Sequence, residues 1–185
     1  TLIIVPTPHE PEFSGEQRLP PERADFDMSA VTATLDALSG YAEPGCAPLA
    51  VVVSTVLPGS YDRVLMGHTQ RLRYAYSPCF AAMGSVEDDL RAPEFNLIGT
   101  PGARRCLELE EMYRSLNDAE IITTDVTTAE GIKVLYNSFI GAKVALGNLW
   151  GEMAEKLGMN VDMMHHAISL STKRLLSPRY LEAGM

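Results

Sequence analysis

The 185-residue chain has only three cysteines, Cys46, Cys79 and Cys106. They are too few and too scattered for a disulfide framework, so a reduced protein of the cytoplasm is the expectation. No stretch approaches the ~18 uncharged apolar residues of a membrane span. Basic charge is scarce: 15 lysines and arginines stand against 24 aspartates and glutamates, for a net charge of −9. A nucleic-acid or anionic-membrane surface needs a clustered basic face, and this balance argues against both. Cys-x-x-Cys and His-x-x-x-His spacings are missing. The adjacent His165-His166 would point about 100° apart on a helix, so no metal site is expected. Gly-x-Gly-x-x-Gly does not occur either; the nearest cluster, at Gly99 and Gly102, has the wrong spacing. Residues 1–5 carry no charged n-region and no cleavage pattern, so they are not expected to be a signal peptide. They read instead as a buried strand, and a chain that begins inside a core strand is expected to be a piece of something longer.

Apolar residues make up 46% of the chain and charged residues 21%, ordinary usage for a globular fold. After Pro6-Thr7-Pro8, residues 8–27 form a long polar loop with four prolines. Asp27 or Ser29 can cap a helix carrying Val31, Leu35 and Leu38, stopped by Gly40. Residues 49–54 are a second apolar strand, followed by a turn and a helix at about 60–71. Strands are expected at 73–76, 95–99 and 119–123, with irregular chain over 77–93. Thr100 and Pro101 suit the start of a helix that turns Cys106, Leu109, Tyr113 and Leu116 inward. Apolar strands alternating with helices predict a mostly parallel sheet covered on both faces.

The pattern changes near residue 126. Thr127 and Glu130 have the spacing of a capping box, and no proline follows until Pro178. The periodicity predicts one helix of about 30 residues ending near Gly158, then a short helix over 160–168. Its apolar residues cover nearly all sides, so it needs more than one packing partner. The expected division is 1–125 for the sheet part and 126–185 for the helical part.

Three constellations could carry chemistry. Lys133 and Asn137 are four apart and share a helix face that is otherwise apolar. Buried there, Lys133 would have a lowered pKa and could serve as an acid, a base or an oxyanion stabiliser; otherwise it snorkels to solvent. Ser54-Thr55-Val56-Leu57-Pro58-Gly59-Ser60 leaves a strand and opens a helix, at the sheet edge where open α/β sheets bind ligands. An ordinary capped turn reads the same. Cys79, in Ser77-Pro78-Cys79-Phe80, is either a nucleophile with a lowered thiol pKa or a buried inert thiol.

Taken in order, these segments resemble the UDP-glucose/GDP-mannose dehydrogenase family of nucleotide-sugar dehydrogenases. The resemblance rests on Val5-Pro6-Thr7-Pro8, on Ser54-Thr55-Val56-x-Pro58-Gly59-Ser60, and on Pro78-Cys79-Phe80 followed by Gly84-Ser85. It continues through Ala129-Glu130-x-Ile132-Lys133-x-x-x-Asn137 to Leu157-Gly158. It implies an α/β fold: the second part of a Rossmann-like sheet domain, then a long central helix and a short helical segment. It also implies NAD as cofactor, a nucleotide-sugar substrate oxidised at its C6 alcohol toward an aldehyde or carboxylate, and a homodimer through the long helix. Thr7, Ser54 and Thr55 would lie beside the cofactor, with Thr55 also near the reacting water. Lys133 would steady the oxyanion, with Phe80, Asn137, Tyr180 and Gly184 toward the substrate. The family's glycine fingerprint would precede Thr1 and its nucleophilic cysteine would follow the stretch that starts at Gly184. Cys79 stands where the family has a glutamate, and Ala82 and Met83 replace a usual charged pair; Cys79 cannot act as a carboxylate base. Two other readings stay open: a non-catalytic dimerisation or nucleotide-binding module, and a hydroxyacid dehydrogenase-like oxidoreductase.

Overall fold

A computed structural model describes residues 1–15, 18–82 and 84–177. They fall into two compact units, Thr1–Tyr136 and Asn137–Met185.

The first unit is built on a sheet of five strands among the described residues: β1 (Leu2–Ile3), β2 (Leu49–Val52), β3 (Arg73–Tyr76), β4 (Asn96–Thr100) and β5 (Ile121–Asp125). Their spatial order follows the chain. β1, β2 and β3 run parallel, as do β4 and β5; β3 and β4 meet antiparallel at Tyr76 and Gly99. The sheet is therefore mostly parallel, as the apolar runs predicted, with one reversal that they did not.

Alternation along the strands sorts the core into two layers. Ile3, Ala50, Val52, Tyr74, Tyr76 and Leu97 face one side. There they pack on α1 (Ser29–Ser39) through Val31 and Leu35, and on Val126 and Ala129 of α4 (Val126–Leu157). Val51, Ala75 and Ile98 face the other side, under Cys106 and under Leu109 of α3 (Leu107–Leu116). Gly99 lets α4 approach closely, since a Cβ there would lie 2.5 Å from Ala129 Cβ.

Several expected elements are shorter or shifted. The first strand spans only Leu2–Ile3, and Ile4 is exposed, because nothing among the described residues covers that side of the sheet edge. In place of a helix at 60–71, two short helical turns, Tyr61–Leu65 and Met66–His68, follow the turn. The segment expected to be irregular contains α2 (Val86–Arg91). Thr100 and Pro101 start only a single turn, Pro101–Ala103, because Gly102 and Ala103 adopt positive φ (70° and 54°) and break it. α3 therefore begins at Leu107, and its Leu116, expected inward, is exposed at its end.

The second unit comprises the rest of α4 and α5 (Val161–Ser169). α4 ends at Gly158, whose φ of +64° suits a glycine. The Asn160 side chain caps α5, accepting the Met163 N–H at 3.0 Å. Phe139, Ile140, Val144, Leu149 and Met153 are exposed on this part of α4.

Candidate active site

The carboxyl ends of β1 and β2 are stapled together by two hydroxyls. Ser54 is buried; its Oγ accepts the Val5 N–H at 2.9 Å and donates to the Val5 carbonyl at 2.6 Å. The Thr7 hydroxyl donates to the Thr55 carbonyl at 2.7 Å. Beyond Thr55, Val56 is fully buried and anchors the turn to the core. Gly59 takes a φ of +82°, the left-handed region that favours glycine, which allows the chain to turn sharply into Tyr61–Leu65.

The far end of this turn is held from α4. Glu130 is fully buried; its Oε2 accepts the Gly59 N–H at 2.6 Å and its Oε1 accepts the Tyr61 N–H at 2.9 Å. This corrects the capping-box expectation. Asp125, one residue before α4, is its cap: Oδ1 takes the Thr128 N–H at 2.9 Å and Oδ2 the Thr128 hydroxyl at 2.6 Å. Thr127 instead donates to Asp62 at 3.2 Å. With its helix already capped, Glu130 serves the orphan N–H groups of a different segment. Burial pushes its carboxyl pKa up, opposed by the N–H groups of Tyr61 and Gly59; Asp62 raises it further and Arg63 lowers it.

One turn further along, Lys133 is also buried, with 7% of its surface exposed. It does not snorkel. Its Nζ donates to the Cys79 carbonyl at 2.7 Å and lies 4.9 Å from the centre of the Phe80 ring. Burial lowers its pKa, and the Cys79 thiol works against that shift. Phe80, Phe95 and Tyr136 form a cluster of rings, with Phe80 to Phe95 at 4.7 Å and Phe80 to Tyr136 at 4.8 Å between centres. The Tyr136 hydroxyl donates to Glu94 at 3.0 Å. The loop is closed by Asp89, which accepts the Ala82 N–H at 2.9 Å and the Ser85 hydroxyl at 2.7 Å. Cys79 is half-buried, and its Sγ accepts the Ala81 N–H at 3.4 Å.

The predicted residues thus fall into two groups, both fastened to the first turns of α4. Thr7, Ser54 and Thr55 form one, and Cys79, Phe80 and Lys133 the other. Asn137 belongs to the second unit, where it is exposed. Tyr180, Gly184 and Met83 lie outside the described residues. Sequence reasoning missed the role of Glu130. The signal available was weak: Glu130 shares its helix face with Val126, Lys133 and Val134, and a local capping role accounts for it equally well. Among the described residues no group of three or more His, Cys, Asp or Glu could hold a metal ion, and no helix is long and apolar enough to cross a membrane.

The fold is α/β, a mostly parallel five-stranded sheet with helices followed by a long helix, and it is similar to that of Rossmann-like dehydrogenases. Residues 127–185 match the model of the UDP-glucose/GDP-mannose dehydrogenase family, central domain. The chain is 28% identical over 163 residues to the UDP-glucose 6-dehydrogenase of Rickettsia conorii, covering 86% of this chain and 37% of the relative. It is 27% identical over 174 residues to the UDP-N-acetyl-D-mannosamine dehydrogenase of Methanocaldococcus jannaschii, covering 93% of this chain and 38% of the relative. Among solved structures, the GDP-mannose dehydrogenase of Pseudomonas aeruginosa, in a ternary complex, superposes with a TM-score of 0.82 at 26% identity. That match covers 98% of this chain and 41% of the other. These matches bear out the resemblance drawn from the sequence. The chain spans 37% of the length of the first of these curated relatives.

Proposed function

We propose that the protein carrying this chain oxidises a nucleotide sugar at its C6 alcohol, with NAD as the hydride acceptor. In this reading residues 1–125 are part of the cofactor domain and 126–185 a helical dimerisation segment. The observation that carries it is Lys133: a buried ammonium, donating at 2.7 Å to Cys79 O, on the helix that also holds the Thr55 turn. The matches to UDP-glucose 6-dehydrogenase and UDP-N-acetyl-D-mannosamine dehydrogenase support the substrate class. A non-catalytic module is not favoured by these matches.

NAD, when bound, supplies the acceptor for a hydride from the sugar carbon. The residues present fit it at the carboxyl ends of β1 and β2, where parallel strands of open sheets receive ligands. The division of labour there follows from the hydrogen bonds. Ser54 spends its hydroxyl on both backbone groups of Val5, so it holds the strand ends together. Thr7 fixes the Thr55 carbonyl, which leaves the Thr55 side chain as the group to orient ligand or water.

Oxidation of an alcohol to an aldehyde removes a hydride and a proton, and passes through a developing oxyanion. Lys133 is the group to stabilise that charge. Its low-dielectric surroundings strengthen such an interaction relative to water, and the Cys79 carbonyl aims the ammonium beforehand. Burial lowers its pKa, so its proton is held less tightly than that of an exposed lysine. Phe80, under Nζ, excludes water from one side. Asn137, Tyr180 and Gly184 are assigned to the substrate, and the protein is expected in the cytoplasm as a homodimer.

The test is NADH formation by the purified full-length protein on a panel of UDP- and GDP-sugars, with free hydroxyacids alongside. NADH with a nucleotide sugar supports the reading. NADH only with hydroxyacids, or none with any substrate, overturns it.

A further inference from the structure

The Thr55–Ser60 segment leaves a strand with Thr55 poised beside the proposed site, and three of its main-chain groups are held by side chains from outside the segment. The Thr55 carbonyl is taken by Thr7. The Pro58 carbonyl accepts from Arg63 Nη1 at 2.9 Å. The Gly59 N–H goes to Glu130, together with the N–H of Tyr61 just beyond the turn. Of these anchors only Glu130 is fully buried, and only Glu130 lies on the element that bears Lys133.

We propose that Glu130 is a positioning residue: its carboxylate locks the Thr55–Tyr61 segment to the first turns of α4, and so sets Thr55 and Lys133 in register for the reaction. This rests on the dehydrogenase reading given above. Three observations carry it. Glu130 and Lys133 are three residues apart, less than one full helical turn, so a shift of either loop is transmitted to a common rigid element. The bonds are charge-assisted and go to two N–H groups of one turn, an arrangement that a neutral side chain cannot reproduce. A carboxylate with no exposure is costly to keep, and nothing in α4 itself requires it, since Asp125 already caps the helix.

The geometry also excludes a direct chemical role. Both carboxylate oxygens are committed to main-chain donors, and the residue has no solvent-accessible surface through which to meet a substrate. Glu130 acts through the turn.

The variants are Glu130→Gln and Glu130→Asp in the full-length protein, read by amide hydrogen exchange of the 55–61 segment and by steady-state kinetics. Gln keeps the volume but offers one acceptor and places an N–H₂ group against an amide donor. The expected result for Glu130→Gln is exchange of the Gly59 and Tyr61 amides accelerated about tenfold or more, with β2 and β3 amides unchanged. The kcat on a nucleotide sugar falls about 10- to 100-fold, and KM moves by less than about threefold. A purely structural residue would lower the melting temperature while leaving kcat per folded site unchanged, and that outcome overturns the proposal. So does unchanged exchange at Gly59 and Tyr61. If Glu130→Gln does not fold, Glu130→Asp, which keeps the charge one methylene short, decides on the same two readouts. If the wild type forms no NADH with any nucleotide sugar, the dehydrogenase reading fails by itself; accelerated exchange then still establishes the lock, without a reaction for it to serve.

Discussion

Glu130 and Lys133 sit three residues apart on α4 and reach into two different loops. Glu130 accepts hydrogen bonds from the N–H groups of Gly59 and Tyr61, while the Lys133 ammonium donates one to the carbonyl of Cys79. A buried anion and a buried cation thus stand on adjacent positions of one helix face without pairing with each other. Each bonds main chain from elsewhere, which offsets the cost of burying its charge. The helix start works as a clasp between the Thr55 turn and the Cys79 loop.

Replacing Lys133 tests the proposed chemistry. Lys133→Met keeps the length and apolar stem but removes the charge and the donor to Cys79 O. The expected kcat is lower by about 10²-fold or more, the range for losing a transition-state charge stabiliser. Lys133→Arg is not expected to rescue it, because a planar fork does not fit where a single ammonium points at one carbonyl. Turnover within twofold of wild type for Lys133→Met would remove Lys133 from the mechanism.

Glu130 also leaves a signature in stability against pH. Its carboxyl pKa is raised above the ordinary 4.5, by burial first, with Asp62 adding and Arg63 and the two N–H groups opposing. On the sheet face that the start of α4 covers, burial above all raises the phenol pKa of Tyr74 and Tyr76, with the Glu130 charge adding to it, so both stay neutral. As pH falls through the raised value toward 4.5, the folded chain takes up a proton before the unfolded chain does. Glu130's contribution to stability therefore grows with acidification in that window. Asp27, Asp89 and Asp125, with lowered pKa values, contribute in the opposite sense at lower pH. The difference in unfolding free energy between wild type and Glu130→Gln isolates the Glu130 part. It should increase as pH falls toward 4.5, and a flat difference would contradict the assignment.

Gly99 reports on the approach of α4 to the sheet. An added Cβ would meet Ala129 Cβ at 2.5 Å, and the Asp125 carbonyl and Val126 Cα at 3.2 Å. Two of these three atoms are main chain and cannot rotate away. Gly99→Ala is expected to lower stability by about 1–3 kcal/mol, the usual cost of overpacking. Denaturant titration measures it, and a neutral result would mean that α4 is not seated on β4.

The exposed apolar residues of the second unit bear on self-association. Phe139, Val144 and Leu149 are half or more exposed, and Ile140 nearly so. Apolar side chains exposed at this level on one helix suit a surface that a second copy would cover. Sedimentation of the wild-type protein is expected to give a dimer, and Leu149→Glu a monomer. A wild-type monomer at all concentrations would overturn the expectation.

Part of the candidate site is legible in the amino-acid sequence itself. Val5-Pro6-Thr7, Ser54-Thr55-Val56-x-Pro58-Gly59 and Pro78-Cys79-Phe80 each end an apolar run, so a parallel sheet must bring them to related edges. Lys133 on an otherwise apolar face allowed either a buried amine or one that snorkels to solvent, and spacing alone could not choose between them. Glu130 was misread because its spacing to Thr127 satisfied a local rule equally well. Asp125, one residue outside the expected helix, took the cap instead. Likewise, Thr100-Pro101 looked like a helix start, but Gly102 and Ala103 adopt positive φ and postpone the helix to Leu107.

The amino-acid sequence by itself determined the α/β class, the strands of the sheet, the long helix and the residue types at the sheet edge. These depend on periodicity and on turn chemistry, which act over a few residues. Only the tertiary structure decided that β4 runs against β3, that Lys133 faces Cys79 rather than water, and that Glu130 serves a turn some 70 residues away. Those outcomes depend on which distant main-chain groups remain unpaired once the sheet has formed. A buried polar side chain goes to such a group because any other arrangement leaves two of them unsatisfied.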